Sequence, residues 1–392
     1  MSRPMIQLAV PELTGHEALY LQECITSTFV SSVGPFVDRF ESMVAAASGS
    51  LAAVAVASGT TGLHAALTTI GVRRDDLVIL PAFTFIASAN AVAHCGALPW
   101  LFDVTPARWT LDPVQLEQAL CRETEQRGTE VWHRASGRRV AAILPVHTLG
   151  LPADMEAIVD IARHHGLPVV ADAAAALGAE DRGRPVGQLG ADLTVFSFNG
   201  NKTITCGGGG AIAGMQPDLV ALARHLTTTA RHGDAYDHDR VGFNYRMTNL
   251  QAAVGCAQME RLEQFLAAKR RIHQRYNEAL QDLPHWRIFP APAGARSACW
   301  FAGGWLEGSD GSDPADPMPG LLQALRAAGV GARPFWKPMH WQAPYRECPR
   351  MPLPISEYIA PRILTLPCST GLGEADQEYV IEVVRNLLKS SP

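Results

Sequence analysis

Over its first 250 residues the chain switches repeatedly between short apolar runs and segments with helical periodicity. Leu51–Ala57, Leu77–Leu80, Leu98–Phe102, Val140–Leu144, Leu167–Val170 and Leu193–Phe198 are short and apolar, as buried strands are. The intervening Asp154–His165 sets Met155, Ile158, Val159 and Ala162 at i, i+3, i+4 and i+7, one face of a helix. Such alternation predicts an α/β fold, a mostly parallel sheet flanked by helices. Thr248 to about Leu283 reads as one long helix, straight or bent. Beyond it Pro284–Ser297 is rich in Pro, Gly and Ala. A strand at Cys299–Leu306, a loop at Gly308–Gly320 and helices at Leu321–Ala328 and Glu374–Leu388 follow. We therefore expect a large domain over residues 1–250 and a smaller C-terminal α/β domain over 251–392. The boundary is expected inside the helix 248–283.

Charge and cysteine usage narrow the function. The net charge is −5, from 33 Lys+Arg and 38 Asp+Glu, and no dense basic block is present. Lys269-Arg270-Arg271, the longest basic cluster, reads as the wet face of a helix. Nucleic acid is therefore not an expected partner. No run approaches the ~20 apolar residues of a membrane helix. The eight cysteines form no CxxC pair, so no metal site is expected, and their scatter fits a cytoplasmic protein. Only 18% of residues are charged, against about 25% in an average soluble domain. A large apolar subunit interface would account for that.

Three segments carry chemistry. Ser58-Gly59-Thr60-Thr61-Gly62 lies between a strand and a helix, where free N–H groups and the helix dipole suit a phosphate; a plain N-cap has the same composition. Asp172 follows an apolar strand, where it could hold a positive ring nitrogen or cap a helix. Ser197-Phe198-Asn199-Gly200-Asn201-Lys202 is followed by Cys206 and four glycines. The glycines suggest close backbone approach or positive φ, a flexible loop being the alternative. A phosphate cradle, a carboxylate and a serine five residues before a lysine together fit pyridoxal phosphate.

With these residues in hand, the sequence resembles the DegT-type sugar aminotransferases, a fold-type-I pyridoxal-phosphate family. The resemblance is carried by Val30–Gly34, Pro81–Asn90, Leu144–His147, Ser197–Lys202, Gly242–Gln251 and Arg333–His340. Within the family it looks most similar to the 4-aminotransferases of bacillosamine and legionaminic acid type pathways. The resemblance implies that Lys202 bonds to the cofactor and is the general base. It implies Gly59, Thr60, Thr61 and Ser197 around the phosphate, Phe85 stacked on the ring and Asp172 at the ring nitrogen. Asn244 would reach the phosphate of the neighbouring subunit's cofactor, which makes the protein a homodimer with a shared active site. His147, Arg246 and His340 are expected near substrate. Two positions depart from the family pattern: Ala171 stands where Glu is usual, and Ala175 where a polar side chain, usually Gln, sits near the ring oxygen.

The reaction implied is amino transfer from L-glutamate to a 4-keto-6-deoxy nucleotide sugar, expected to be a UDP-linked 2-acetamido sugar, for surface-glycan biosynthesis. A sugar dehydratase is an alternative, against which the intact Lys202 argues. A non-catalytic cofactor- or sugar-binding relative is the other, suggested by Ala175 alone.

Overall fold

In a computed structural model of the chain, residues 4–233, 235–308 and 318–389 are described. The expected Gly308–Gly320 loop thus lies mostly outside the described residues. Seven strands form the main sheet: β1 (Ala52–Val56), β2 (Leu77–Pro81), β3 (Leu98–Phe102), β4 (Arg138–Ile143), β5 (Val170–Asp172), β6 (Leu193–Ser197) and β7 (Gly210–Gly214). Their order is β3-β2-β4-β5-β6-β7-β1, with β4 joined to β5 through the parallel bridges Ile143–Val169 and Val146–Asp172. Of these seven, β7 runs against its two neighbours, and a hairpin of Thr124–Arg127 and Glu130–His133 adds antiparallel to the start of β4. The fold is therefore the expected fold-type-I arrangement of a mostly parallel sheet between helices.

Alternation within the strands divides the core. Leu77 and Ile79 face one apolar cluster, while Val78 and Leu80 face the other. Helices α1 (Glu17–Ser27) and α2 (Pro35–Ser48) cover the first cluster, and α3 (Gly59–Thr69) and α4 (Ile86–His94) the second. Also in the first are α5 (Pro113–Glu123) and α6 (Met155–His165), whose Met155, Ile158, Val159 and Ala162 are buried as the periodicity predicts.

The long helix is broken. Helix α7 (Asn249–Met259) ends at Glu260, and α8 (Leu262–Leu280) starts after Arg261. Along α8, Leu262, Phe265 and Leu266 belong to the main core, whereas Ile272, Tyr276 and Leu280 belong to a third cluster. That cluster backs a four-stranded antiparallel sheet of β8 (Trp286–Ile288), β9 (Ala302–Leu306), β10 (Arg333–Pro334) and β11 (Ile363–Leu366), ordered β8-β9-β11-β10. Ile6 and Leu8 pack in the same cluster, with Ile6 bridged to Val330. The first residues thus join the last third of the chain.

Lys269 corrects the reading of its basic cluster. It is 2% exposed, and its Nζ donates to the carbonyls of Trp300 (3.0 Å) and Cys368 (2.7 Å). Arg270 is half-buried and donates to the carbonyls of Ser297 and Gly178, so only Arg271 is a wet position. Burying the ammonium is tolerated because polar acceptors meet it. All eight cysteines are free. Among the described residues no helix is long and apolar enough to cross a membrane.

Candidate active site

The carboxyl ends of β1, β2, β4, β5 and β6 open onto a cavity of about 540 Å³, closed on its far side by Trp300, Phe301 and residues 333–336. Ser58, the N-cap of α3, accepts from the Thr61 N–H, and Thr61 Oγ1 accepts from the Ser58 N–H. The Thr61 hydroxyl is thereby engaged within the cap, and Thr61 does not line the cavity. The first-turn amides of a helix lack intrahelical acceptors. Those of Gly59 and Thr60, whose residues do line the cavity, remain for a ligand.

Glycine is required here by contact. A Cβ on Gly59 would lie 2.8 Å from Ser197 Cβ, and one on Gly210 would lie 2.6 Å from the Ser58 carbonyl carbon. The start of α3 is therefore pressed against the ends of β6 and β7. Of the four-glycine run, Gly207 (φ +77°) and Gly209 (φ +141°) also need positive φ.

Asp172 is 5% exposed. Its Oδ2 accepts from Ser88 Oγ at 2.7 Å and its Oδ1 from the Ala174 N–H at 3.0 Å. Burial nonetheless pushes its carboxyl up, with those hydrogen bonds and Lys202 acting against the rise. Such a carboxylate would be relieved by a cation. Lys202 follows β6 in a turn, its N–H donating to the Asn199 carbonyl. Burial pushes its amine down to about 8, and Asp172 partly opposes this. Its Nζ lies 3.7 Å from the centroid of the Trp300 ring. That ring is fixed at both ends, since Trp300 Nε1–H donates to the Asn201 carbonyl and the Trp300 carbonyl accepts from buried Lys269.

His147 follows β4, one strand from Asp172, and is 2% exposed. Its Nδ1 accepts the Ala153 N–H at 3.0 Å, and burial pushes its pKa down to about 4. The ring is therefore neutral near pH 7 with its proton on Nε2. That atom makes no hydrogen bond within the protein, and the residue lines the cavity. His147 is thus a buried donor in need of an acceptor. Phe85 remains 53% exposed, with its ring 6.0 Å from that of Trp336, and Ala175 adds only a methyl to the wall.

The structure thus brings Gly59, Thr60, Phe85, His147, Asp172, Ala175, Ser197 and Lys202 to one cavity. Asn244, Arg246 and His340 do not line it. Asn244 forms a bridge with Thr228, and Arg246 Nη2 is 3.9 Å from Glu41. His340 Nε2 is paired with Glu357 at 2.9 Å. The sequence reading missed Ser88 and Trp300. Ser88 was findable as a small hydroxyl in the first turn of the helix after Phe85. Trp300 carries no local signal, because its place depends on a contact made 98 residues from Lys202.

Comparison with known proteins agrees with this architecture. The profile of the DegT/DnrJ/EryC1/StrS aminotransferase family matches residues 11–385. GDP-perosamine synthase of Caulobacter vibrioides is 39% identical, over 98% of this chain and 99% of that one. GDP-perosamine synthase of Vibrio cholerae is 32% identical, over 97% of this chain and 99% of its own. A crystal structure of a DegT DnrJ EryC1 StrS aminotransferase from Brucella abortus superposes with a TM-score of 0.85 at 31% identity, covering 95% of each chain.

Proposed function

The chain belongs to the DegT/DnrJ/EryC1/StrS family and is a pyridoxal-phosphate-dependent aminotransferase; from that premise we propose that it transfers the amino group of L-glutamate to a 4-keto-6-deoxy sugar linked to GDP. The observation that carries the reading is the buried Lys202–Asp172 pair opposite a glycine-lined helix start. The residues present fit the cofactor. Gly59 and Thr60 offer amides to a phosphate, and Phe85 offers a ring that is 53% exposed at the cavity wall. Asp172 is a buried carboxylate without a full cation, and Lys202 is an amine near neutrality. When bound, the cofactor supplies the electron sink that lets a carbon–hydrogen bond next to nitrogen ionise.

The chain's own groups do the rest. Lys202 Nζ, free amine above about pH 8, takes the proton from the amino-bearing carbon of the donor. Trp300 offers its ring face to the displaced ammonium, so the lysine is held close to the reacting carbon. Ser88 and the Ala174 amide hold the Asp172 carboxylate in place. His147 donates from Nε2 to an oxygen of the bound ligands. The aromatic wall of Trp300, Phe301, Phe335 and Trp336 excludes water from one side.

GDP is preferred over the UDP-linked 2-acetamido sugar of the sequence reading because the GDP-perosamine synthases are 39% and 32% identical over nearly whole chains. A homodimer is proposed as well. Leu13, Leu19, Ile25, Phe29, Val30 and Val33 are exposed along one N-terminal stretch, a surface that a second copy would cover. The exposed Tyr236 and Val241, in the segment just before Asn244, fit a reach into the partner.

The test is an amination panel. The holoenzyme with glutamate is offered GDP-, UDP- and dTDP-linked 4-keto-6-deoxy sugars, and 2-oxoglutarate is measured. Turnover highest on the GDP sugar is expected. Preference for a UDP sugar would overturn the nucleotide assignment, and no 2-oxoglutarate with any of them would overturn the reaction.

A further inference from the structure

Away from the cavity, α5 and α6 pack against each other and bring three metal-ligating side chains together. Glu117 projects from α5, while His164 and His165 close α6 just before the left-handed Gly166 (φ +68°). One ligand-capable atom of each lies within 4.8 Å of the other two. None of the three has a role in the chemistry above.

The geometry between Glu117 and His165 is informative. Glu117 Oε2 and His165 Nε2 are 3.3 Å apart, yet neither forms a hydrogen bond, although both atoms are shielded from solvent. The two atoms are in ion-pair range, yet neither is committed to a directional hydrogen bond, so each remains available to an ion. Two ligand atoms each ~2.0–2.1 Å from a tetrahedral ion stand about 3.3 Å apart, the edge of that tetrahedron. Cys121, one turn further along α5, donates its thiol to Glu117 Oε1 at 3.5 Å. This second contact fixes the carboxylate and leaves Oε2 turned to the histidine. Carboxylate and imidazole donors together favour a borderline transition ion over calcium or magnesium. His164 is exposed and Glu117 is partly so, which leaves an entry path.

We propose that Glu117, His164 and His165 form a site for a divalent first-row transition ion of the Zn²⁺ type, with its fourth position open to water. The ion ties the end of α6 to α5. It thereby steadies the short connection from His165 to β5, the strand that ends in Asp172.

The probe is Co²⁺ alone, titrated into tag-free, chelator-treated holoenzyme. The expected result is tetrahedral d–d absorption saturating at one Co²⁺ per chain, reversed by Zn²⁺. Glu117→Gln and His165→Gln, which keep side-chain size while removing a ligand atom, should each weaken Co²⁺ binding roughly tenfold or more. His16→Gln, a surface histidine elsewhere, should not. Zn²⁺ should raise the melting temperature of the native sequence but not of the double variant. Absence of the d–d bands, or bands that persist with unchanged affinity in the double variant, would overturn the proposal. The second result would place the ion elsewhere, the cofactor included.

Discussion

Replacing Gly59 with alanine tests whether the start of α3 cradles the cofactor phosphate. The new Cβ would sit 2.8 Å from Ser197 Cβ and 3.2 Å from its Oγ. Rotating the serine relieves only the second contact, because Cβ is fixed by the backbone of β6. To reach an ordinary 3.4 Å, the helix start must move by about 0.6 Å. Overpacking of this kind costs about 1–3 kcal/mol. If it falls on the amides that hold the phosphate, cofactor affinity drops by roughly 5- to 150-fold. Pyridoxal phosphate affinity is read by absorbance titration of the cofactor-free protein. Thermal unfolding without cofactor is measured alongside, to separate lost binding from lost fold. Gly200→Ala is the control, since a Cβ there meets nothing within 4 Å. If Gly59→Ala binds within twofold of the native sequence, or if Gly200→Ala weakens binding as much, the phosphate is not held where we place it.

Three further outcomes follow from the same geometry. Covalent attachment of the cofactor to the cofactor-free protein should accelerate as pH rises through about 8, where Lys202 loses its proton, and then level off. Asp172→Asn removes the charge that raises the Lys202 pKa, so stopped-flow absorbance should show the midpoint move to lower pH. His147 is neutral when folded down to about pH 4, whereas its unfolded pKa is 6.5. Its contribution is complete above 6.5 and is lost as pH falls towards 4, about 3 kcal/mol in all; denaturant titrations of His147→Gln should show a flatter acid limb, and an unchanged limb would contradict the buried-neutral assignment. Asn249→Ala removes the Oδ1 that accepts the Phe36 N–H and the Nδ2 that donates to the Phe29 carbonyl, so it should cost about 2–3 kcal/mol in chemical denaturation while sparing cofactor affinity of the folded fraction.

Asn249 also illustrates how far a motif can be read. It stands in the Gly242–Gln251 run that carries family resemblance, yet its side chain holds the entry to α2. Gly34 is fixed by the same contact, because a Cβ there would lie 2.3 Å from Asn249 Cγ. His340 lay in another such run and proves to be paired with Glu357. Resemblance identifies positions that matter. It does not separate those that touch a ligand from those that shape the scaffold, because both are fixed equally by contact.

Local rules were enough for much of the protein. Strand runs, helical periodicity and small-residue turns are properties of neighbouring residues, so the α/β alternation, the capped start of α3 and the Asp172 and Lys202 strand ends were legible in one dimension. The break at Glu260–Arg261 was less so, since Leu262, Phe265 and Leu266 continue a helical pattern across it. Burial and distant pairing were not legible at all. Lys269 looks like a surface lysine beside two arginines, and only the fold supplies the Trp300 and Cys368 carbonyls that admit it to the interior. Trp300 in turn reaches Lys202 only because the β9 sheet closes over the main one. Which chemical groups the protein carries, and at which strand ends they stand, can be read along the chain. Which of them are desolvated depends on packing between distant segments, and desolvation is what brings the lysine to about 8 and keeps His147 neutral.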